Sequence, residues 1–139
     1  MTLPDSAKAL IRAGALGHLA TIAADGRPQV TGVWVAVEGD DLLTAHLNPR
    51  LKKLENVRRD PRVTISFEGS EIRPPGLQEY LVVQGRATIE EGGAAALLQE
   101  LAHVYLGPDV KFPPVDDPPP GVRIRIAVER VGGIGPWAG

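Results

Sequence analysis

Residues 42–61, LLTAHLNPRLKKLENVRRDP, contain the transition that decides how this chain folds. Side chains alternate over residues 42–47, which predicts a strand, and the Asn48-Pro49 step predicts the start of a helix that ends near Asp60. Asn48 suits the N-cap position and Pro49 suits the first helical position. The segment therefore predicts a strand that leads directly into a helix.

Lys52 and Lys53 fall in the first turn of this predicted helix, where the helix dipole disfavours positive charge. Residues 50–62 hold six basic and two acidic residues, a local excess of 6 − 2 = +4 in a chain of net charge −2. Exposed N–H groups and two ammonium groups together form a seat for phosphate. The pattern favours a small anionic ligand, although lysines at a helix start also occur on plain solvated faces.

Composition limits the classes of protein to which the chain can belong. Its 139 residues suit one domain, residues 1–139, with a core of its own. A pI of about 5.9 lacks the overall positive field of a nucleic-acid binder, so we expect no nucleic-acid partner. Cysteine is absent, which excludes disulfides and thiolate chemistry. No signal peptide or membrane-length apolar run is visible, so we expect no membrane span and a cytoplasmic location.

Turn signals divide the rest of the chain into short strands and peripheral helices. Alternation predicts further strands at residues 17–23, 28–38, 62–68, 79–89 and 122–131, and helical spacing predicts helices at 3–14 and 90–106. Tight turns such as Asp25-Gly26 indicate antiparallel pairing. Gly85 suggests a bulge, and the Pro-rich residues 107–121 suggest a surface loop. The pattern predicts a small antiparallel barrel.

Two tryptophans and one row of arginines admit two interpretations each. Trp34 and Trp137 are either core or interface anchors or walls for a flat ring. Arginines alternate with apolar residues along residues 122–131, so that face is either wet or buried against a charged partner. We expect the partner to be a second copy of the chain.

No group of residues has the spacing of a catalytic or metal site. His18, His46 and His103 lie on separate elements, so we expect no metal site. No serine has the context of a nucleophile, and no glycine pair matches a dinucleotide fingerprint. His46 shares a strand face with Thr44 and is either a structural histidine or a ligand contact. We therefore expect no catalytic side chain, and if the protein is an enzyme, a cofactor carries the chemistry.

Residues 17–67 resemble the first half of the pyridoxamine 5′-phosphate oxidase-like superfamily, the flavin-binding split β-barrels. The matching pieces are the LATI strand, the DGRPQV turn and strand, the L-x-T-A strand and the K-K-x-x-x-N-x-R-R-D-P helix. The segments EYLVVQGRATI, ELAHVYLG and RIRIAVERVGGIGPW extend the likeness over nearly the whole chain. The branch of deazaflavin-dependent oxidoreductases, which use coenzyme F420, is the most similar.

The resemblance implies a mainly β fold, a split antiparallel barrel of the FMN-binding type with peripheral helices. It implies a homodimer with cofactor sites at the interface, so that Trp137 could reach the partner's site. The basic pair would bind the cofactor phosphate, and two strands would hold the ring and ribityl chain. The residues implied to bind the cofactor are Gln29, Thr31, Val33, Trp34, Thr44, Ala45, His46, Arg50, Lys52, Lys53 and Trp137.

The function implied is an oxidoreductase that transfers hydride from reduced coenzyme F420 to an unsaturated small molecule such as a quinone, a tetrapyrrole or an unsaturated lactone. The alternatives are an FMN-dependent oxidase or reductase, and a non-catalytic carrier of flavin, deazaflavin or tetrapyrrole. Vitamin B6 oxidation fits less well, because the chain ends GIGPWAG where those oxidases usually end Arg-Leu-x-Pro. The Pro-rich residues 107–121 are expected to border the open face and to influence acceptor choice.

Overall fold

The computed structural model describes residues 1–138, which form seven strands and three helices. In chain order these are α1 (Asp5–Arg12), β1 (Gly17–Ile22), β2 (Pro28–Val33), β3 (Ala36–Glu38), β4 (Asp41–His46), α2 (Lys52–Arg59), β5 (Arg62–Arg73), β6 (Leu77–Glu91), α3 (Ala94–Tyr105) and β7 (Val122–Ile134). None of the three helices in this range has the length and apolar character needed to cross a membrane.

All seven strands pair antiparallel in one sheet with the order β2-β1-β5-β6-β7-β4-β3. The two edge strands are consecutive in the chain, and only Trp34 and Val35 separate them. Three Cα steps span at most about 11 Å, whereas the edges of a flat seven-stranded sheet lie about 29 Å apart. The sheet must therefore curl until its edges nearly meet, which produces the predicted split barrel without closing it.

The apolar side chains sort into two clusters on the two faces of the curled sheet. The inner cluster contains Phe67, which is fully buried, and the apolar stripes of α1 and α2 close it. The outer cluster joins Leu43 and Ala45 of β4 to α3. The interrupted strand at 28–38 keeps its predicted alternation, because Val33, Val35 and Val37 join the inner cluster while Trp34 and Ala36 join the outer one.

Several predicted boundaries were wrong: α3 begins at Ala94 instead of Glu90, and β7 continues to Ile134. Three further differences have a local reason. The helix begins at Lys52 with Leu51 as its N-cap, three residues after the predicted start at Pro49 with Asn48 as N-cap. The Asn48 side chain instead accepts a hydrogen bond from the Arg50 amide at 2.9 Å, which forms a turn. Residues 69–73, predicted as loop, extend β5. The strand predicted over 28–38 is interrupted at Trp34, where the chain crosses from one sheet edge to the other.

Two other local predictions were confirmed or refined. The pairing of β6 with β7 shifts register at Gly85, where a Cβ would collide with the Ala127 carbonyl oxygen. The arginine row of β7 is charge-balanced inside one chain, and Arg125 contacts Glu90 at 2.8 Å. Arg123 contacts the same carboxylate group at 2.8 Å. This row therefore needs no second copy, and it does not support the predicted homodimer.

Candidate cofactor-binding site

A cavity of about 200 Å³ lies where β2, β4, α2, α3 and the Pro-rich segment meet. It is lined by Gly32, Val33, Trp34, Ala45, His46, Lys53, Leu98 and Phe112. Five of these are residues that the resemblance implied. The lining combines one ammonium group and one imidazole with apolar and aromatic walls, which is the usual composition of a small-molecule site.

Lys53 is the feature that distinguishes this cavity. The residue is 9% exposed, and no carboxylate of residues 1–138 forms an ion pair with it. Burial lowers the pKa of Lys53 below its usual value, because the cavity hydrates the ammonium group poorly. It lies in the first turn of α2, whose free N–H groups add positive potential. An anion in the cavity would compensate both the charge of the Lys53 ammonium group and the positive potential at the start of α2.

The neighbouring Lys52 is in a different environment. Its side chain is 67% exposed and forms an ion pair with Glu55 at 3.4 Å. Consecutive residues of an α-helix point about 100° apart, and here Lys53 lines the cavity while the Lys52 side chain extends into solvent. The structure therefore divides the predicted basic pair into a buried lysine inside the cavity and a solvated one outside.

His46 stands beside Lys53 as a neutral base. Its ring Nε2 lies 2.8 Å from the Thr44 hydroxyl, so the shared strand face predicted for these residues is confirmed. Burial, and secondly the positive charge of Lys53, lower the pKa of His46 to about 4. The imidazole is consequently uncharged near pH 7, and Lys53 is the ionic group of the cavity lining.

A polar network under α2 fixes this helix against β1 and β2. The Asn56 amide Nδ2 donates to Thr21 Oγ1 at 3.0 Å and to Gln29 Oε1 at 3.1 Å. Arg59 donates in turn to Asn56 Oδ1 at 3.1 Å. Further along β2, Thr31 Oγ1 is buried without a hydrogen-bond partner. An unpaired buried hydroxyl is costly, so a ligand that reaches β2 would satisfy it.

Trp34, the aromatic wall of the cavity, is held in place by Tyr105 of α3. Trp34 stacks on Tyr105 with ring centroids 5.5 Å apart and an interplanar angle of 11°. The Tyr105 hydroxyl donates to the Ala15 carbonyl at 2.8 Å and accepts from the Val35 amide at 3.1 Å. Burial raises the pKa of Tyr105 above its usual value, which keeps this hydroxyl protonated. Trp34 is thus a fixed wall rather than a mobile side chain.

Six of the eleven implied residues do not line the cavity: Gln29, Thr31, Thr44, Arg50, Lys52 and Trp137. Arg50 is exposed in the turn before α2. Trp137 is buried in the inner core, and its indole N–H donates to the Tyr80 carbonyl at 3.0 Å. Its reach into a partner's site stays a prediction.

Sequence reasoning missed four residues: Gly32, Asn56, Leu98 and Phe112. Asn56 and Phe112 did carry a signal. Asn56 is an amide within the quoted helix motif, and Phe112 is the aromatic residue of the Pro-rich segment.

A larger groove of about 380 Å³ runs over β1, β5 and β6. Its arginine, Arg62, already forms an ion pair with Asp60 at 2.8 Å, which also lowers the pKa of that carboxyl to about 2. The smaller cavity is therefore the better candidate, because it contains a buried cation without a carboxylate partner.

Comparison with known proteins gives relatives of the same fold. A protein described as an F420 reductase is 28% identical, with a TM-score of 0.72, and the match covers 93% of this chain and 98% of that one. A conserved hypothetical protein from Mycobacterium tuberculosis is 24% identical, with a TM-score of 0.72 and coverage of 96% and 82%. A protein from Listeria innocua, provisionally described as a pyridoxamine 5′-phosphate oxidase, is 22% identical, with a TM-score of 0.68 and coverage of 94% and 96%.

No curated protein matches the chain. The family model described as pyridoxamine 5′-phosphate oxidase matches residues 3–135, which include every strand and helix of the fold. Members of this family are generally flavin-binding oxidoreductases. The split barrel, the cavity at its α2 corner and this match over nearly the whole length agree, and the chain therefore belongs to the pyridoxamine 5′-phosphate oxidase family.

Proposed function

We propose that this protein is a homodimeric oxidoreductase that binds coenzyme F420 and reduces an unsaturated small molecule. The observation that carries the proposal is the uncompensated, buried ammonium group of Lys53 at the start of α2. A phosphate there would accept hydrogen bonds from the ammonium group and from free N–H groups of the first helical turn. The similarity to an F420 reductase favours the deazaflavin over FMN.

The residues present fit the remainder of such a cofactor. Val33 and Trp34 offer an apolar wall for the ring. Thr31 does not line the cavity of the single chain, but its unpaired hydroxyl lies further along β2. Gln29 uses its carbonyl oxygen within the α2 network, which leaves its Nε2 as a donor. The cavity of about 200 Å³ is smaller than typical cofactor sites. We therefore include a second copy of the chain, which would complete the site.

The chemistry divides between the cofactor and the protein. When bound, the reduced cofactor supplies a hydride, and the acceptor gains that hydride and a proton from solvent in a two-electron reduction. Lys53 and α2 hold the anionic end, while Trp34 excludes water and orients the ring. Neutral His46 remains hydrogen-bonded to Thr44 and shapes the floor. Changes at His46 or Thr44 should accordingly lower activity without abolishing it.

The decisive experiment compares coenzyme F420 and FMN in parallel titrations of the purified protein, monitored by their absorbance and fluorescence. We expect saturable binding of coenzyme F420 that is tighter than that of FMN. Consumption of the reduced coenzyme in the presence of a quinone or enone should follow. Tighter binding of FMN, with turnover, would favour the FMN-dependent alternative. Tight binding of either ligand without turnover on an acceptor panel would favour the carrier.

A matched pair of variants tests the phosphate seat. Lys53→Gln should weaken cofactor binding by about 10- to 100-fold, because it removes a charge-assisted hydrogen bond of about 1.5–3 kcal/mol. Lys52→Gln should change affinity by less than about threefold, because that ammonium group is solvated and screened. Equal effects of the two substitutions would refute the assignment of the phosphate to the cavity.

Sedimentation velocity tests the proposed homodimer at micromolar concentration. We expect a species of twice the chain mass, and a stable monomer would contradict the proposal. The cytoplasmic location stays a prediction.

A further inference from the structure

Thr44 and His46 are held side by side by the position of β4 in the sheet. This strand lies between β3 and β7, and residues two apart on a strand point to the same face. The backbone at His46 is fixed as well, because Gly121 packs so closely that a Cβ there would collide with the His46 carbonyl oxygen. The contact of 2.8 Å between Thr44 Oγ1 and His46 Nε2 is therefore built into the strand.

The direction of this hydrogen bond follows from the burial of Thr44. Thr44 is 0% exposed, and its hydroxyl has no hydrogen-bond partner other than His46 Nε2 within residues 1–138. A hydroxyl group carries one proton, and a buried donor that has no acceptor destabilises the folded protein. Thr44 therefore donates to His46 Nε2, which must be the ring nitrogen that carries no proton.

The other ring nitrogen of His46, Nδ1, then carries the one N–H proton of the neutral ring. Nδ1 has no hydrogen-bond partner in the part of the chain that the structure describes. It is also not among the buried polar atoms that lack a partner, so it remains accessible to solvent. Because His46 lines the cavity beside Lys53, the Nδ1–H group is available there as a hydrogen-bond donor.

The remaining lining of the cavity contains no competing acceptor side chain. Among the described residues that line it, none has a carboxylate, amide or hydroxyl side chain. The polar side-chain groups at the α2 end are thus the Lys53 ammonium group and the His46 ring. Two donors without an acceptor suit an oxyanion better than a neutral ligand.

We infer that Thr44 is a positioning residue that holds His46 in its Nδ1–H tautomer, so that the neutral ring and Lys53 together donate hydrogen bonds to the oxyanion at the start of α2. The inference rests on the proposed function and adds a second side-chain donor to the phosphate seat. In the other tautomer, Nδ1 would present a lone pair to the cavity, and a lone pair repels an oxyanion. The Nδ1–H group instead adds a hydrogen bond without adding a second buried charge.

Nitrogen NMR of the cofactor-free protein measures the tautomer directly. With isotope-labelled histidine near pH 7, the His46 ring should show a protonated Nδ1 and an unprotonated Nε2. The loss of these signals in His46→Gln assigns them. Inorganic phosphate, added as the probe, should shift the Nδ1 signal more than the Nε2 signal. A protonated Nε2 in the free protein, or a ring whose signals phosphate leaves unchanged, would overturn the inference.

Variants of Thr44 separate positioning from packing. Thr44→Val nearly keeps the shape of the side chain but removes the hydroxyl, so the ring should lose its tautomer preference and phosphate affinity should fall about fivefold. Thr44→Ser retains a hydroxyl and should restore both. Thr64→Val, in the separate groove over β1, β5 and β6, is the matched control and should behave like the wild type. Circular dichroism checks that each variant folds, and an unchanged tautomer in Thr44→Val would refute the role of Thr44.

A double variant tests whether Thr44 acts through the His46 ring. His46→Leu removes the donor and should itself weaken phosphate binding about fivefold. Thr44→Val in the His46→Leu background should cause no further loss, because both changes remove the same hydrogen bond to phosphate. Additive losses of affinity would show that Thr44 acts by another route and would overturn the inference.

Failure of this inference and failure of the proposed function give different results. If coenzyme F420 binds and is consumed while His46 Nε2 carries the proton, the role of Thr44 is refuted and the oxidoreductase is retained. If the tautomer and the phosphate response are as expected but neither coenzyme F420 nor FMN binds, the proposed function is refuted and the oxyanion donor is retained.

Discussion

The start of α2 and the arginine row of β7 both hold cations away from bulk solvent, but the charges are compensated differently. Arg125 is 23% exposed and contacts three carboxylates, those of Glu90, Asp41 and Glu38, at 2.8–3.1 Å. These contacts raise the pKa of Arg125, and the hydrogen bond that it donates to Glu90 contributes most. Lys53 is more deeply buried, has no carboxylate partner within residues 1–138, and has a lowered pKa.

The difference shows which basic residues serve the fold and which are available to a ligand. Carboxylates from three strands neutralise the β7 row, so its positive charge is part of the chain's own structure. The α2 corner retains an uncompensated positive charge, which disfavours the folded protein until an anion binds. Basic composition alone does not make this distinction. The predictions that follow test it, from the largest expected effect to the smallest.

Arg125→Met should destabilise the protein most, by about 2 kcal/mol, because it leaves three neighbouring carboxylates without their shared cation. Cofactor affinity should stay unchanged. Urea denaturation at neutral pH measures the effect, with Arg86→Met as control, since Arg86 forms only an exposed pair with Glu129 at 3.5 Å. A similar loss of unfolding free energy in the two variants would show that the β7 network contributes no more stability than an exposed ion pair.

His46 should make stability depend on pH between about 4 and 6.5. The folded pKa of His46 is about 4 and its ordinary value is 6.5, so the unfolded chain binds more protons in this window. Stability therefore falls as pH falls, by about 2 kcal/mol at pH 5 relative to pH 7.5. His46→Gln should lack this contribution. Urea midpoints at the two pH values measure it, and parallel profiles of the two proteins would contradict it.

Lys53→Met should stabilise the cofactor-free protein by about 1 kcal/mol, because it removes a buried charge that has no ionic partner. Replacement of a cation by methionine is therefore expected to raise the free energy of unfolding at Lys53 and to lower it at Arg125. Measuring both variants is the most direct test of the comparison. Thermal and urea unfolding without cofactor provide the measurement. A loss as large as that of Arg125→Met would mean that Lys53 is compensated inside the chain.

Lys52→Gln should change stability least, by less than about 0.5 kcal/mol. The substitution removes the repulsion between the Lys52 ammonium group and the helix dipole, and this gain offsets the loss of the exposed ion pair with Glu55. Unfolding in low and high salt measures the effect, which should shrink as salt screens both contributions. A larger, salt-independent change would indicate that this lysine also enters a buried site.

Where one face of a strand is buried, local sequence patterns were sufficient to predict which side chains share a face. Alternation correctly assigned Val33, Val35 and Val37 to one side and Trp34 to the other, although the strand is interrupted between them. The bulge at Gly85 was also predictable, because no side chain fits so close to a neighbouring backbone. The start of α2 was not predictable from the sequence. The Asn48 side chain can cap a helix or stabilise a turn, and only the surrounding structure selects the turn.

The sequence by itself determined an antiparallel barrel and a basic helix start beside the strand that carries Thr44 and His46, because alternation, turns and charge placement are local properties. The tertiary structure alone decided which lysine is buried, which arginines are neutralised, and which side chain of the Pro-rich residues 107–121 reaches the cavity. These outcomes depend on contacts between distant residues, such as Gln99 with Val110 and Phe112. No local pattern encodes them, because curling of the sheet first brings those residues together.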